Sequence, residues 1–237
     1  MFGENFVRNN KKRKILYNGN EFKLKEFIPI NNVIQNKNKV EVILREINKI
    51  NSMKFMFCNC KFTKIFFSHL NPKVGNRIFT ITNMHGMFYD CIDLKEINLS
   101  LYDTSNVTDM SYMFYNCNHL KEIKGIEQFN TEKVISMGYM LSGCKELIQL
   151  DLSSFDTSNV IDMSFMFFNN FKLKKIIGID NFNTKKVINM EFMFCKCKEL
   201  EYLDLSTFNI SKVKNMNNIF CGCDKKKIIG INKFYIL

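Results

Sequence analysis

The sequence predicts an α/β repeat solenoid, a parallel sheet with one short helix per repeat of 26–27 residues, behind an N-terminal β-hairpin cap. Three observations predict it. Met84, Met110, Met137, Met163, Met190 and Met216 recur at intervals of 26, 27, 26, 27 and 26 residues. A unit of that length cannot bury its apolar side alone, so neighbouring units must stack. Each unit changes from a spacing of three and four to a spacing of two after its cysteine position. Ahead of the array, Asn18-Gly19 sits between alternating apolar residues.

The elements follow in chain order. Residues 15–27 read as a hairpin, because Asn-Gly supplies both positive backbone angles of a type I′ turn. Val40-Glu41-Val42-Ile43-Leu44 alternates like a further strand. Residues 1–47 are therefore expected to form an N-terminal β cap and residues 48–237 the solenoid. The array opens with a degenerate copy, Ile50, Met53, Met56-Phe57 and Cys60. An insertion follows around Phe67 to Arg77, with a turn at Asn71-Pro72. Further copies begin at Ile81, Val107, Val134, Val160, Val187 and Val213.

Within a copy the apolar positions fall at 0, 3, 6, 7 and 10 from the valine, which predicts a helix of about ten residues. Asp103-Thr104-Ser105-Asn106 and Asp156-Thr157-Ser158-Asn159 precede it as capping residues. Asp109 and Asp162 are placed for its dipole. After the cysteine, Leu147-x-x-Leu150-x-Leu152 and Leu200-x-x-Leu203-x-Leu205 carry the strand phrase of a leucine-rich repeat. Alternate copies insert a glycine there, as in Lys124-Gly125-Ile126 and Ile177-Gly178-Ile179. That insertion predicts a bulge and a two-repeat periodicity in the sheet edge.

The phrases Phe155-Asp156-Thr157-Ser158-Asn159-Val160, Met163-Ser164-Phe165-Met166-Phe167 and Met110-Ser111-Tyr112-Met113-Phe114-Tyr115-Asn116-Cys117 resemble the BspA-like leucine-rich repeat family, the Mycoplasma-lipoprotein type of repeat, over about residues 48–237. The resemblance implies a leucine-rich-repeat-like solenoid used for binding, in a family whose members are often bacterial surface proteins or adhesins.

Charge and cysteine placement bound the function. The net charge is +11; residues 1–50 carry 11 Lys and Arg against 5 Asp and Glu, and residues 51–237 carry 23 against 18. Basic runs lie at the ends, Lys11-Lys12-Arg13-Lys14 and Lys225-Lys226-Lys227. No window approaches the roughly 18 apolar residues of a membrane span. Residues 1–25 lack the apolar core of a signal peptide, which predicts a cytoplasmic chain. Cys91, Cys117, Cys144, Cys197 and Cys223 share one column, with Asn170 in the same place, and read as reduced thiols packed as small hydrophobes. The pairs Cys58-x-Cys60, Cys195-x-Cys197 and Cys221-x-Cys223 suit a soft metal by composition. One sulfur of each falls in the core column and the other points elsewhere, so packing is expected and neither metal nor cofactor is. His69, His85 and His119 share no register position, and no catalytic residue is assigned.

Residues flanking the central leucines of each strand face the open side of the sheet. They form two columns, Glu96, Glu122, Gln149, Lys175 and Tyr202, and Asn98, Lys124, Asp151, Ile177 and Asp204. Both columns vary across otherwise uniform repeats and mix both signs of charge, which favours a protein partner over a polyanion. The expected function is non-enzymatic protein–protein interaction through this face. The alternatives are a surface adhesin exported by a signal not present in the sequence, and nucleic-acid binding through the basic termini.

Overall fold

A computed structural model describes residues 52–61 and 81–235, together with the backbone of four short strands outside them, Lys14–Tyr17 (β1), Asn20–Lys23 (β2), Ile43–Leu44 (β3) and Lys64–Ile65 (β4). β1 and β2 pair antiparallel from Lys14↔Lys23 to Tyr17↔Asn20, flanking Asn18-Gly19 as a hairpin there requires, and β3 pairs with β1. The rest of residues 1–47, and the insertion around Phe67 to Arg77, lie outside the described residues.

From Ser52 onward the chain lays down seven rungs, joined in parallel at Ser52, Asn83, Asp109, Ser136, Asp162, Asn189 and Asn215. The predicted helix is not there. In its place each rung makes consecutive i→i+3 turns, such as Met113 N to Met110 O, Tyr115 N to Tyr112 O and Cys117 N to Phe114 O. Tyr112 and Asn116, third residues of two of these turns, hold positive φ angles of 58° and 59°. A left-handed residue at every fourth position is incompatible with an α-helix but is what a type II turn needs. Two such turns also return an apolar side chain inward at intervals of three and four, so the pattern imitates an amphipathic helix.

Leaving the helical path turns these amides outward along the stack. Met110 N donates to Ser136 O (3.1 Å), Tyr112 N to Gly138 O (2.9 Å), Phe114 N to Met140 O (2.8 Å) and Asn116 N to Ser142 O (2.7 Å). The same four bonds, at 2.6–3.1 Å, recur at all six interfaces between rungs. The aspartates expected to serve a helix dipole accept main-chain amides instead: Ser111 N donates to Asp109 Oδ1 and Ser164 N to Asp162 Oδ1. Asp103 and Asp156 accept likewise from Ser105 N and Ser158 N.

The core is built of columns. Phe57, Phe88 and Phe114 stack at 5.5 and 5.3 Å, Leu141 interrupts, and Phe167, Phe194 and Phe220 continue at 5.5 and 6.0 Å. Met110, Met113, Met137, Met140, Met163 and Met166 are buried beside them. Buried Thr104, Thr131, Thr157 and Thr184 each donate a hydroxyl to a carbonyl of the following rung. The cysteine column is free and buried through Cys197, half-buried at Cys223; each thiol donates to a phenylalanine carbonyl of the preceding rungs, as Cys117 Sγ does to Phe88 O at 3.1 Å. Burial pushes the Cys117, Cys144, Cys197 and Cys223 thiols up, Cys144 to about 12, and the hydrogen bond with Cys60, followed by burial, raises Cys91, so they are poor nucleophiles. Asn170, in the same column and fully buried, leaves both amide atoms without a hydrogen bond among the described residues.

One cysteine expectation is overturned. Cys195 and Cys221, each two residues before the core column, form a disulfide. Their Cα atoms are 4.5 Å apart, within the span a disulfide bridges, so the separation of rungs does not forbid the bond at this corner.

On the opposite side lie Glu96–Asn98 (β5), Glu122–Lys124 (β6), Gln149–Asp151 (β7), Lys175–Ile177 (β8), Leu203–Asp204 (β9) and Ile228–Ile229 (β10). β4, β5 and β6 form one parallel sheet, β7 and β8 another, and β9 and β10 a third. The expected two-repeat period is therefore real, with a different cause from a bulge. Gly125, at φ 85°, and Gly178, at φ 80°, each open a short 3-10 helix, Ile126–Gln128 and Ile179–Asn181. A Cβ on Gly125 would lie 2.3 Å from Ser100 N, and one on Gly178 2.5 Å from Ser153 Cα. The glycine rung thus nests against the serine corner of the rung before it.

Candidate interaction surface

The strands place the two predicted columns side by side, but in pairs. Glu96 stands opposite Glu122 and Asn98 opposite Lys124; Gln149 faces Lys175 and Asp151 faces Ile177. Asp204 pairs with Ile229, and Tyr202 lies one residue before β9. Asn98, Glu122, Lys124, Gln149, Lys175 and Tyr202 are exposed, and Glu96, Asp151, Ile177 and Asp204 are partly covered. Between them Ile97, Ile123, Leu150, Ile176 and Leu203 point inward, which is the alternation of a sheet with one buried face.

Three of the ten residues have a structural task. Asn98 Oδ1 accepts from Ser100 N (3.0 Å), Asp151 Oδ1 from Ser153 N (3.0 Å) and Asp204 Oδ1 from Ser206 N (2.9 Å). The hydrogen bonds from the Ser153 hydroxyl and amide hold the Asp151 carboxyl below its usual range. These side chains shape the corner after each odd strand. Glu122 and Lys124 pair with each other at 3.5 Å, both more than half exposed, so the pair adds little to stability.

A second column escaped the sequence reading. Tyr112, Tyr139, Phe165 and Phe192, two residues after their methionines, stack at 4.5, 4.3 and 4.8 Å along the half-exposed outer side of the turns. All four occupy the left-handed region, with φ between 53° and 59°. Their faces cover one another, so only ring edges meet solvent. The signal was present as an aromatic at one register position of successive copies. The helical reading hid it by assigning that position to a solvent face of a helix. Beyond it, Ile135, Ile161 and Ile188 form an exposed aliphatic column.

His85, Asp109 and Ser111 converge at the start of the aromatic column. His85 Nδ1 lies 2.7 Å from Ser111 Oγ and 3.4 Å from Asp109 Oδ2, and Ser111 Oγ donates to Asp109 Oδ1 at 2.5 Å. A nucleophilic relay needs hydroxyl and carboxylate on opposite ring nitrogens. Here both meet one nitrogen, and the serine proton is held by the carboxylate. Burial raises the Asp109 carboxyl, while the hydrogen bonds from His85 and Ser111 outweigh it and hold it below its ordinary value. The cluster fixes a corner. Among the described residues no group of three His, Cys, Asp or Glu side chains is placed to hold a metal.

The family described as "Mycoplasma protein of unknown function, DUF285" matches residues 29–149, 82–200 and 147–232. The chain belongs to this family. The three ranges overlap, as they must when a model longer than one rung is laid on the array at successive positions. The recurrent phrase places these rungs with BspA-like leucine-rich repeats. No curated protein matches the chain. Among solved structures, a leucine-rich repeat protein from Bacteroides ovatus ATCC 8483 is similar over 88% of this chain and 49% of its own, with 17% identity and a TM-score of 0.39. This chain spans about half the length of that protein, and so loose a likeness carries no argument. No helix among the described residues is long and apolar enough to cross a membrane.

Proposed function

We propose that this chain is a non-enzymatic protein-interaction module, a leucine-rich-repeat-like solenoid that presents the outer side of its strands to another protein. The observation that carries the reading is the contrast between uniform inward residues and varied outward ones on the same strands. Glu122, Lys124, Gln149, Lys175 and Tyr202 contribute nothing to the core, differ from copy to copy and mix both charges. Such a surface discriminates partners through electrostatic complementarity. Glu96 and Ile177 complete the face, and Asn98, Asp151 and Asp204 set the backbone beneath it.

The test is affinity capture from the native cell with the unaltered chain and with a variant carrying Glu122→Lys and Lys175→Glu. Both positions are exposed, so the variant should fold normally. A partner retained by the first and lost by the second supports the reading; unchanged recovery of every partner defeats the proposed face.

A second reading, an exported adhesin-like protein, is favoured by the Cys195–Cys221 disulfide. Such bonds persist in oxidising surroundings and are rare in the cytosol. Labelling of intact cells with a membrane-impermeant reagent separates the two: surface labelling supports export, and its absence with the chain recovered in the soluble lysate supports an internal module.

A further inference from the structure

Three exposed isoleucines interrupt an otherwise polar register on the turn side. Ile135, Ile161 and Ile188 are 47%, 40% and 36% exposed, whereas the same position is Thr82 and Thr108 in the rungs before them and Lys214 in the rung after. The half-exposed aromatic column runs alongside from Tyr112 to Phe192, and its register holds Gly86 before and Asn218 after. Stacking requires neither column, since the second and seventh rungs join the array without them. Between the two columns Ser111, Gly138 and Ser164 are small and buried, so a narrow strip with apolar walls runs along the stack. Rungs about 4.8 Å apart make the third to the sixth span about 14 Å, the length of about four extended residues.

Charge on this side opposes that of the rest of the chain. The turn segments 81–91, 107–117, 134–144, 160–170 and 187–197 hold Asp90, Asp109, Asp162 and Glu191 against Lys196, while the remainder holds 33 Lys and Arg against 19 Asp and Glu. Asp162 and Glu191 are half-buried beside the strip, and neither carboxylate has a cationic partner among the described residues. A Cβ on Gly138 would lie 2.7 Å from Asp162 Oδ2, so this carboxylate leans over the floor of the strip. Burial first, then Tyr112 and Glu191, push the Tyr139 hydroxyl up to about 12, which keeps it protonated as a donor. Lysines of the chain already rest on rings of this side: Lys54 Nζ is 5.7 Å from the Phe55 centroid and Lys196 Nζ 5.4 Å from that of Phe168.

We infer that this strip is a docking site for an extended segment of a partner protein in which aliphatic and basic residues alternate, the aliphatic ones covering Ile135, Ile161 and Ile188 and the basic ones reaching Asp162 and Glu191. Neighbouring residues of an extended chain point to opposite sides, as two unlike walls require. Covering the isoleucines supplies the hydrophobic gain, and the carboxylates select the sign of the partner. A nucleic acid brings like charge to those carboxylates and no aliphatic cover. The strip lies on the opposite side of the array from the strand face, and the inference does not rest on that face.

The probe is a fluorescein-labelled decapeptide of alternating valine and lysine, titrated with the full chain and read by fluorescence anisotropy at about 0.15 M salt. It should bind saturably. Asp162→Asn with Glu191→Gln should weaken binding about tenfold. Asn189 fills the Asp162 position in the next rung and accepts the equivalent main-chain amide, so the circular dichroism spectrum should be unchanged. Ile161→Thr with Ile188→Thr, which copies Thr108, should weaken binding to a similar degree. Glu122→Lys with Lys175→Glu, on the strand face, should leave it unaltered. The inference is overturned if the decapeptide fails to bind, if alternating valine and glutamate binds equally, or if either turn-side variant binds as tightly as the unaltered chain. It is overturned too if the strand-face variant alone loses the probe. Isoleucine-dependent self-association in sedimentation would assign the strip to a second copy, and isoleucine-dependent pelleting with phosphatidylcholine vesicles would assign it to a membrane; either result overturns the inference.

Discussion

The turn side and the strand side of the array are built from the same repeats but bonded differently. On the turn side every interface carries four main-chain hydrogen bonds and a continuous chain of bridges from Ser52 to Asn215. On the strand side the ladders come in short sets, β4 with β5 and β6, β7 with β8, and β9 with β10. Stacked phenylalanines and methionines lie behind the turns, whereas the strands contribute one inward residue between two outward ones. The difference teaches where tolerance to substitution lies. The turn side sets the spacing of the rungs, and the strand side is left free to vary its outward residues.

That contrast breaks first at its strongest point. Phe167 is fully buried and stacked on Phe194 at 5.5 Å, so Phe167→Ala should cost about 3–5 kcal/mol in urea denaturation. Glu122→Ala on the strand side should change stability by less than about 0.5 kcal/mol. Comparable losses at the two sites would remove the distinction. Next in size is the Cys195–Cys221 bridge, which closes a loop between cysteines 26 residues apart. Replacing both by serine should cost about 2–4 kcal/mol, with hydrogen exchange rising most in the last two rungs. Uniform loss across all rungs would show that the turn side unfolds as one unit.

A smaller effect runs the other way. Asn170→Cys removes a buried amide without partners and places a thiol where neighbouring rungs use one, so a gain of about 1–3 kcal/mol is expected by the same denaturation. The smallest effect is pH-dependent. The Asp109 carboxyl is depressed in the folded chain, so its contribution is present above the ordinary carboxylate range and lost as pH falls through the lower folded value. A thermal melting series on the acid side should be flatter for Asp109→Asn than for the unaltered chain. Parallel curves would place the acid sensitivity elsewhere.

Much of this architecture was legible in one dimension. The methionine spacing located the rungs, the leucine phrases located the inward positions of the strands, and Asn18-Gly19 located the hairpin. The helix failed for a definite reason. Spacings of three and four are shared by an α-helix and by consecutive type II turns, and what separates them is backbone sign at Tyr112 or Phe165. Bulky aromatics rarely adopt positive φ, so their residue type argued against the conformation that the stack imposes. The Cys195–Cys221 bond is not legible in the repeat, because the sulfurs two residues before the core column read only as pointing away from it, whereas the fold brings their Cα atoms to 4.5 Å. The strand period places the candidate residues beside the inward ones, whereas the turn-forming task of Asn98, Asp151 and Asp204 depends on Asn-x-Ser and Asp-x-Ser corners that strand periodicity does not register.

The nesting of Gly125 against Ser100, and of Gly178 against Ser153, has a bearing on how such a chain can lengthen or shorten. A left-handed glycine corner fits the aspartate- or asparagine-held serine corner of its predecessor, and the two kinds alternate like opposite-handed tiles. Removing one copy of 26 or 27 residues would bring two like corners together, whereas removing two adjacent copies would leave every join of the original kind. Duplication and loss in genes of this type should therefore proceed by twos, and a designed extension should be cut from the chain in the same pairs.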